Sequence, residues 1–224
     1  FQNNHGRYGG VLTFAPVFED ESKSYQSDLT DRYVSDTTFS FFRSGKFVPL
    51  VWTKKEVGII DSLFVNSDRL GNEQLFASRA NEKNLKNHIE KAYKFIHIAT
   101  HSFADLNRPD YSGIACFSES EGSEEDGILY VNEISTFDMK TDLVVLSSCE
   151  SGVGRLIEGE GLMGLNRGFI IAGVPNVLFS LWKVEDEATS QMMTAFYKEM
   201  LLGKPFGQAL RDAKLKMMND PVSA

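Results

Sequence analysis

The chain predicts an α/β fold: a mostly parallel sheet with helices on both faces and an inserted β-hairpin. Three observations carry that prediction. Leu143, Val144, Val145 and Leu146 form a short, continuously apolar run before a glycine-rich turn, the pattern of a strand buried on both faces. A second run of this kind, 94–100 (KFIHIAT), leads directly into His101. Around these runs lie stretches with apolar residues at helical spacing, so strands alternate with helices.

Taken in order, residues 1–10 are polar and glycine-rich and read as a loose lead-in. A first strand follows at 11–17 (VLTFAPV), where Pro16 limits central pairing because it offers no N–H to a ladder. Residues 19–44, dense in Asp, Ser and Thr, read as a long surface excursion. Val57, Ile60, Leu63 and Phe64 mark a helix within 54–65, and 74–77 (QLFA) a short strand. Asn81 caps a helix whose Leu85, His88, Ile89 and Ala92 share a face. Beyond His101 and a polar loop, the runs 113–117 (GIACF) and 127–131 (GILYV) suggest the hairpin, joined by the acidic connection SESEGSEED. One short helix at 132–137 precedes the 143–146 strand.

In the last third, Leu162, Leu165, Phe169 and Ala172 mark a helix that Gly173 and Pro175 stop. The next strand is 176–182 (NVLFSLW). Residues 185–202 form a helix with acids in its first turn and a stripe of Ala188, Met192, Phe196 and Met200. Gly203 closes it, and Pro205 opens a final helix carrying Phe206, Ala209, Leu210, Ala213 and Met217.

Totals narrow the function. Apolar residues make up 42% and charged ones 24% of 224 residues, the balance of an ordinary soluble domain. A net charge of −8 opposes nucleic-acid binding, which needs a basic footprint. No apolar run reaches the roughly 20 residues that span a bilayer. Cys116 and Cys149 are too few for a disulfide framework and fit a reducing, cytoplasmic setting. Opening at Phe1 without a Met, the chain reads as part of a longer protein.

Chemistry concentrates at two strand exits. In an open α/β sheet, ligands bind beyond the carboxyl ends of the strands. Cys116 lies among Ile114, Ala115 and Phe117 and reads as an inert core filler. Cys149 lies instead between serines and a Glu-Ser-Gly turn, where a nucleophile belongs. His101 is its natural partner, because a nearby imidazole lowers a thiol's pKa and raises its thiolate fraction. His97, inside its strand, packs in the core, while His88 and His5 are not placed for chemistry. Residues 159–164 (GEGLMG) match a dinucleotide fingerprint, but no strand directly precedes them and Glu160 would repel a pyrophosphate.

The strings HIATHS and VVLSSCESGVG resemble the His and Cys motifs of the CHAT domain, a caspase-like cysteine peptidase family of clan CD related to separases and caspases. DGILYVNEI, GEGLMGLNRGFIIAG, SLWKVEDEAT and the last two helices resemble further segments in the family's order. The resemblance covers residues 48–218. It implies a caspase-like core over 48–224, with 1–47 contributing the lead-in and first strand to the same fold.

Carried over by residue, it implies His101 and Cys149 as a catalytic dyad. The backbone N–H groups of Cys149 and Ser102 would form the oxyanion hole. The family usually has Gly after the histidine; Ser102 keeps the N–H but would be strained were φ positive there. In separase-like relatives, an acid in the segment equivalent to LWKVEDEAT contacts a basic P1 side chain. Asp186, with Glu185 and Glu187 beside it, matches, although capping the helix it opens is an equal reading.

The resemblance therefore implies a cysteine endopeptidase cleaving a protein or peptide substrate, without metal or cofactor. Regulation by an upstream TPR-like or other sensor module is implied, as is a cytoplasmic role in bacterial defence. The acidic connection reads first as a solvated link, with an activation or cleavage loop as the alternative in such a fold. The competing class is an inactive pseudo-peptidase serving as an interaction or scaffold domain.

Overall fold

The computed structural model describes residues 8–18, 50–67, 71–103, 108–118, 125–147, 161–180 and 185–219. The lead-in at 1–7, the surface excursion, most of the acidic connection, Cys149 with its glycine-rich turn, and residues 181–184 lie outside the described residues.

The chain builds β1 (Tyr8–Ala15), α1 (Val51–Val65), β2 (Glu73–Phe76), α2 (Glu82–Ile89) and β3 (Tyr93–Ile98). Next come β4 (Ser102–Phe103), β5 (Gly113–Ala115), β6 (Ile128–Tyr130), α3 (Val131–Ile134) and β7 (Leu143–Leu146). The C-terminal third is α4 (Gly161–Ile171), β8 (Val177–Phe179), α5 (Asp186–Leu201) and α6 (Phe206–Met218). Five strands form one parallel sheet in the order β2-β1-β3-β7-β8. This is the expected α/β class.

Alternation along the strands divides the core. Leu12, Phe14, Ile96, Ile98, Val144 and Leu146 pack on one face with Leu85 and Ile89 of α2 and Leu165 and Phe169 of α4. Val11, Phe95, Leu143 and Val145 face the other way, onto Ile60 and Phe64 of α1, Met193, Phe196 and Tyr197 of α5, and Ala209 and Ala213 of α6. Strands covered on both faces read as unbroken apolar runs, which is why β7 was legible.

The hairpin is present as β5 against β6, antiparallel, with β4 added to make a three-stranded sheet. Four expectations need correction. β1 begins at Tyr8, inside the expected lead-in, because its N-terminal end already pairs with Tyr93 of β3. It is also a central strand; Pro16 falls just beyond Ala15 and costs no ladder bond. β8 is shorter than expected, ending at Phe179, and among the described residues it is a half-exposed edge of the sheet. The buried residues of α5 are Thr189, Ser190, Met193, Phe196, Tyr197, Glu199 and Met200, so Ala188 and Met192 lie at the margin of its stripe. The difference is a small rotation about the helix axis, enough to bring Tyr197 inward.

Helix ends follow their sequence signals. The Asn81 side chain accepts the Asn84 N–H at 2.8 Å, capping α2. Gly173 ends the turn after α4 at φ +98, and Gly203 that after α5 at φ +88.

Candidate active site

β3 and β7 are parallel neighbours, with Phe95 level with Leu143 and Ile98 level with Leu146. Both therefore deliver their C-terminal residues to the same edge of the sheet. The Ser147 N–H donates to the Ile98 carbonyl at 2.8 Å, extending that pairing past the end of β7. His101 stands three residues beyond Ile98. Cys149, three beyond Leu146, lies outside the described residues.

His101 is only 1% exposed, with its ring 5.5 Å from that of Phe18 at 38°. Its carbonyl accepts the Ala115 N–H at 2.9 Å, and the Thr100 hydroxyl donates to the Ala115 carbonyl at 2.8 Å. The inserted hairpin thus ties down the backbone on either side of the imidazole. Ser102 opens β4 opposite Ile114. Bonding in an antiparallel pair alternates, so the bonded His101–Ala115 pair turns the Ser102 amide away from β5. Among the described residues, Ala77 alone combines a side chain with positive φ, so Ser102 carries no left-handed strain.

Helix α1 runs antiparallel to the strands. Its Val57 packs with Ala15 and Ala99 near the strands' C-terminal ends, while Phe64 stacks on Phe95 nearer their beginning. The N-terminus of α1 therefore lies at the edge that carries His101. Asp186 belongs to the same region: its Oδ2 accepts the Trp52 backbone N–H at 3.1 Å. The expectation that Asp186 caps its own helix is thus corrected, for it caps α1 instead. Glu185 holds the N-cap position of α5 without a side-chain cap bond, and both it and Glu187 are exposed. Burial raises the Asp186 carboxyl above its ordinary value; the Trp52 amide opposes this, and Glu56 reinforces it.

Cys116 is 1% exposed, and burial pushes its thiol well above the ordinary value, as an inert core cysteine requires. The dinucleotide pattern gains no support from its context: Gly161 opens α4, while Gly159 and Glu160 lie outside the described residues. One carboxylate cluster has metal-like spacing, with ligand oxygens of Glu82, Glu125 and Glu133 within 4.8 Å of one another. Its cation is a lysine. The Lys86 ammonium lies 2.7, 2.6 and 2.7 Å from the three carboxylates.

Sequence reasoning missed Phe18, Glu56 and Tyr197. Glu56 carried a signal, since its spacing of four from Ile60 and eight from Phe64 puts a charge on the buried stripe of α1. Such a residue needs a buried partner, and His97 supplies it.

The sequence profile of the CHAT domain family matches residues 15–223. The chain belongs to the CHAT domain family. Mouse tetratricopeptide repeat protein 28 is 26% identical to this CHAT domain over 183 residues, 68% of the chain and 7% of the mouse protein. The human protein of the same name is 31% identical over 86 residues, 38% of the chain and 3% of its own length. The CHAT domain here thus spans a small fraction of the curated relatives it matches. Among solved structures, the D319A mutant of the PilB minor pilin from Streptococcus sanguinis aligns over 91% of this chain and 65% of its own, at 11% identity. Its TM-score of 0.39 marks only a distant likeness.

Proposed function

We propose that this CHAT domain is a cysteine endopeptidase in which Cys149 is the nucleophile and His101 the general base and acid. One observation carries the reading: β3 and β7 are parallel neighbours in a register offset by 48 residues, Ile98 with Leu146, and the same offset links His101 with Cys149. Adjacent strands lie about 4.8 Å apart, within reach of a thiol–imidazole pair.

The chemistry is acyl transfer. His101 takes the thiol proton, and the thiolate attacks the carbonyl carbon of the scissile peptide. The oxyanion is received by the backbone amides of Ser102 and Cys149. Collapse breaks the C–N bond, with the His101 proton passing to the leaving amine. Water, deprotonated by His101, then hydrolyses the thioester and restores the thiol. Asp186, with Glu185 beside it, is the candidate for receiving a basic P1 side chain, because it sits at the same sheet edge as His101. The substrate is then a protein, and by family analogy its setting is defence or cell death. The names of the relatives support a tetratricopeptide-type module as the regulator in a longer chain.

A second reading, a scaffold built on a silent peptidase fold, is favoured by the 1% exposure of His101 under Phe18. Labelling with an iodoacetamide-type electrophile separates the two. In a peptidase Cys149 reacts at least about tenfold faster than buried Cys116, and His101→Ala slows Cys149 toward the rate of an ordinary thiol. Equal slow rates at both cysteines would leave the scaffold. Cys149→Ala should abolish peptide cleavage with the melting temperature nearly unchanged, and a large fall in stability would instead mark Cys149 as core filler.

A further inference from the structure

Beneath Asp186 lies a chain of buried polar groups that the peptidase mechanism does not use. His97, on β3, is fully buried and faces the α1–α5 layer. Its Nε2 is 2.8 Å from Oε1 of Glu56, and its Nδ1 is 3.2 Å from the Tyr197 hydroxyl. Burial, with Glu56 adding to it, pushes the Tyr197 phenol well above its ordinary value, so it stays a donor. With Tyr197 donating to Nδ1, the imidazole keeps its hydrogen on Nε2 for Glu56, and both bonds are satisfied.

Glu56 is thereby fixed. It stands one helical turn after Trp52, and side chains on a helix lean toward its N-terminus, so its carboxylate leans toward the Asp186–Trp52 contact. On α5, Asp186 and Tyr197 are eleven residues apart, close to three turns, and share the face turned to α1.

We propose that Glu56, anchored by His97 and Tyr197, is a positioning residue for Asp186 and governs when that carboxylate is available to a basic side chain. The proposal rests on the reading of Asp186 as the P1-binding acid. The charged and titratable groups to consider lie on the elements packed around Asp186. α1 carries Glu56, Lys55, 4.4 Å over the Trp52 ring, and Lys54, 5.8 Å over the Phe76 ring; α5 carries Glu185 and Glu187; His97 of β3 acts by way of Glu56. Burial delays ionisation of Asp186 to higher pH, the Trp52 amide opposes this, and Glu56 adds to the delay. Preference for a basic P1 residue should therefore strengthen as pH rises, and removing the Glu56 charge should move that onset to lower pH.

The test follows the Asp186 carboxyl carbon by NMR through an acid-to-neutral titration of the 224-residue chain, alongside cleavage of paired peptides with Arg or Gln at P1. Glu56→Gln should move the Asp186 midpoint to lower pH. Glu56→Asp, which withdraws the charge by one methylene, should fall between that variant and the parent. The shift should reappear in KM for the Arg peptide. An Asp186 midpoint that neither variant moves overturns the link to Glu56, and Glu56→Asp alone decides if Glu56→Gln fails to fold. An Arg-over-Gln preference that survives in Asp186→Asn, or a chain that cleaves neither peptide, overturns the P1 role instead. The NMR midpoint still reads the Glu56 link in either case.

Discussion

At the scale of the residue, Thr13 and His97 sit level on neighbouring strands and face the same helices, yet only one is satisfied. His97 has a carboxylate and a phenol as partners, whereas the buried Thr13 hydroxyl has none. A buried hydroxyl without a bond costs about 1–3 kcal/mol relative to an apolar group of the same shape. Thr13→Val should therefore stabilise the domain by about 1 kcal/mol, read as a higher urea midpoint at unchanged m-value. Gly173 is the opposite case. At φ +98, with a Cβ position 3.1 Å from the Met139 carbonyl oxygen, it has no room for a side chain. Gly173→Ala should cost about 1–2 kcal/mol by the same measurement. Gly173 was legible as a helix stop because its role is local. The state of Thr13 was not, since a threonine in an apolar strand run looks the same bonded or unbonded.

At the scale of the element, Lys86 holds α2, the end of the acidic connection and α3 together through Glu82, Glu125 and Glu133. Two of these acids also secure backbone: Glu82 accepts the Gly127 N–H at 2.9 Å and Glu133 the Tyr130 N–H at 3.0 Å. Removing the ammonium leaves the Glu125 charge uncompensated beside Glu82 and Glu133. Lys86→Ala should cost about 2–3 kcal/mol, measured by thermal or urea unfolding at neutral pH.

The same cluster gives a pH dependence. Burial pushes the Glu82 carboxyl up to about 8, while Glu125 is held below its ordinary value by the Lys86 and Glu82 hydrogen bonds despite its own burial. A raised folded-state pKa means the native state binds the proton more tightly. The Glu82 contribution is thus complete below the ordinary glutamate pKa near 4.5 and is lost as pH rises through about 8. Glu125 acts in the other sense, losing its contribution as pH falls below the ordinary value. Glu82→Gln should flatten the decline in stability between weakly acidic and weakly alkaline pH, and an unchanged slope would exclude Glu82 as its source.

At the scale of the whole molecule, β3 is the middle strand of the large sheet, flanked by β1 and β7 and covered on both faces. Amide exchange should accordingly be slowest in β1, β3 and β7, and much faster in half-exposed β8 and in two-residue β4. Slow exchange in β8 would show that the edge it forms among the described residues is covered in solution. Among the described residues no helix is long and apolar enough to cross a membrane.

The sequence by itself determined the α/β class and most of the strands and helices, and it sets His101 and Cys149 each within three residues of the end of an apolar run. These follow from apolar periodicity and glycine punctuation, which act within a few residues. The tertiary structure alone decided that β1 is central, that Asp186 caps α1 rather than its own helix, and that Glu56 and Tyr197 close on His97. Those bonds join residues 134, 41 and 100 positions apart. No local pattern encodes a contact at such separations, because it exists only once the sheet has set its strand order and packed α1 beside α5.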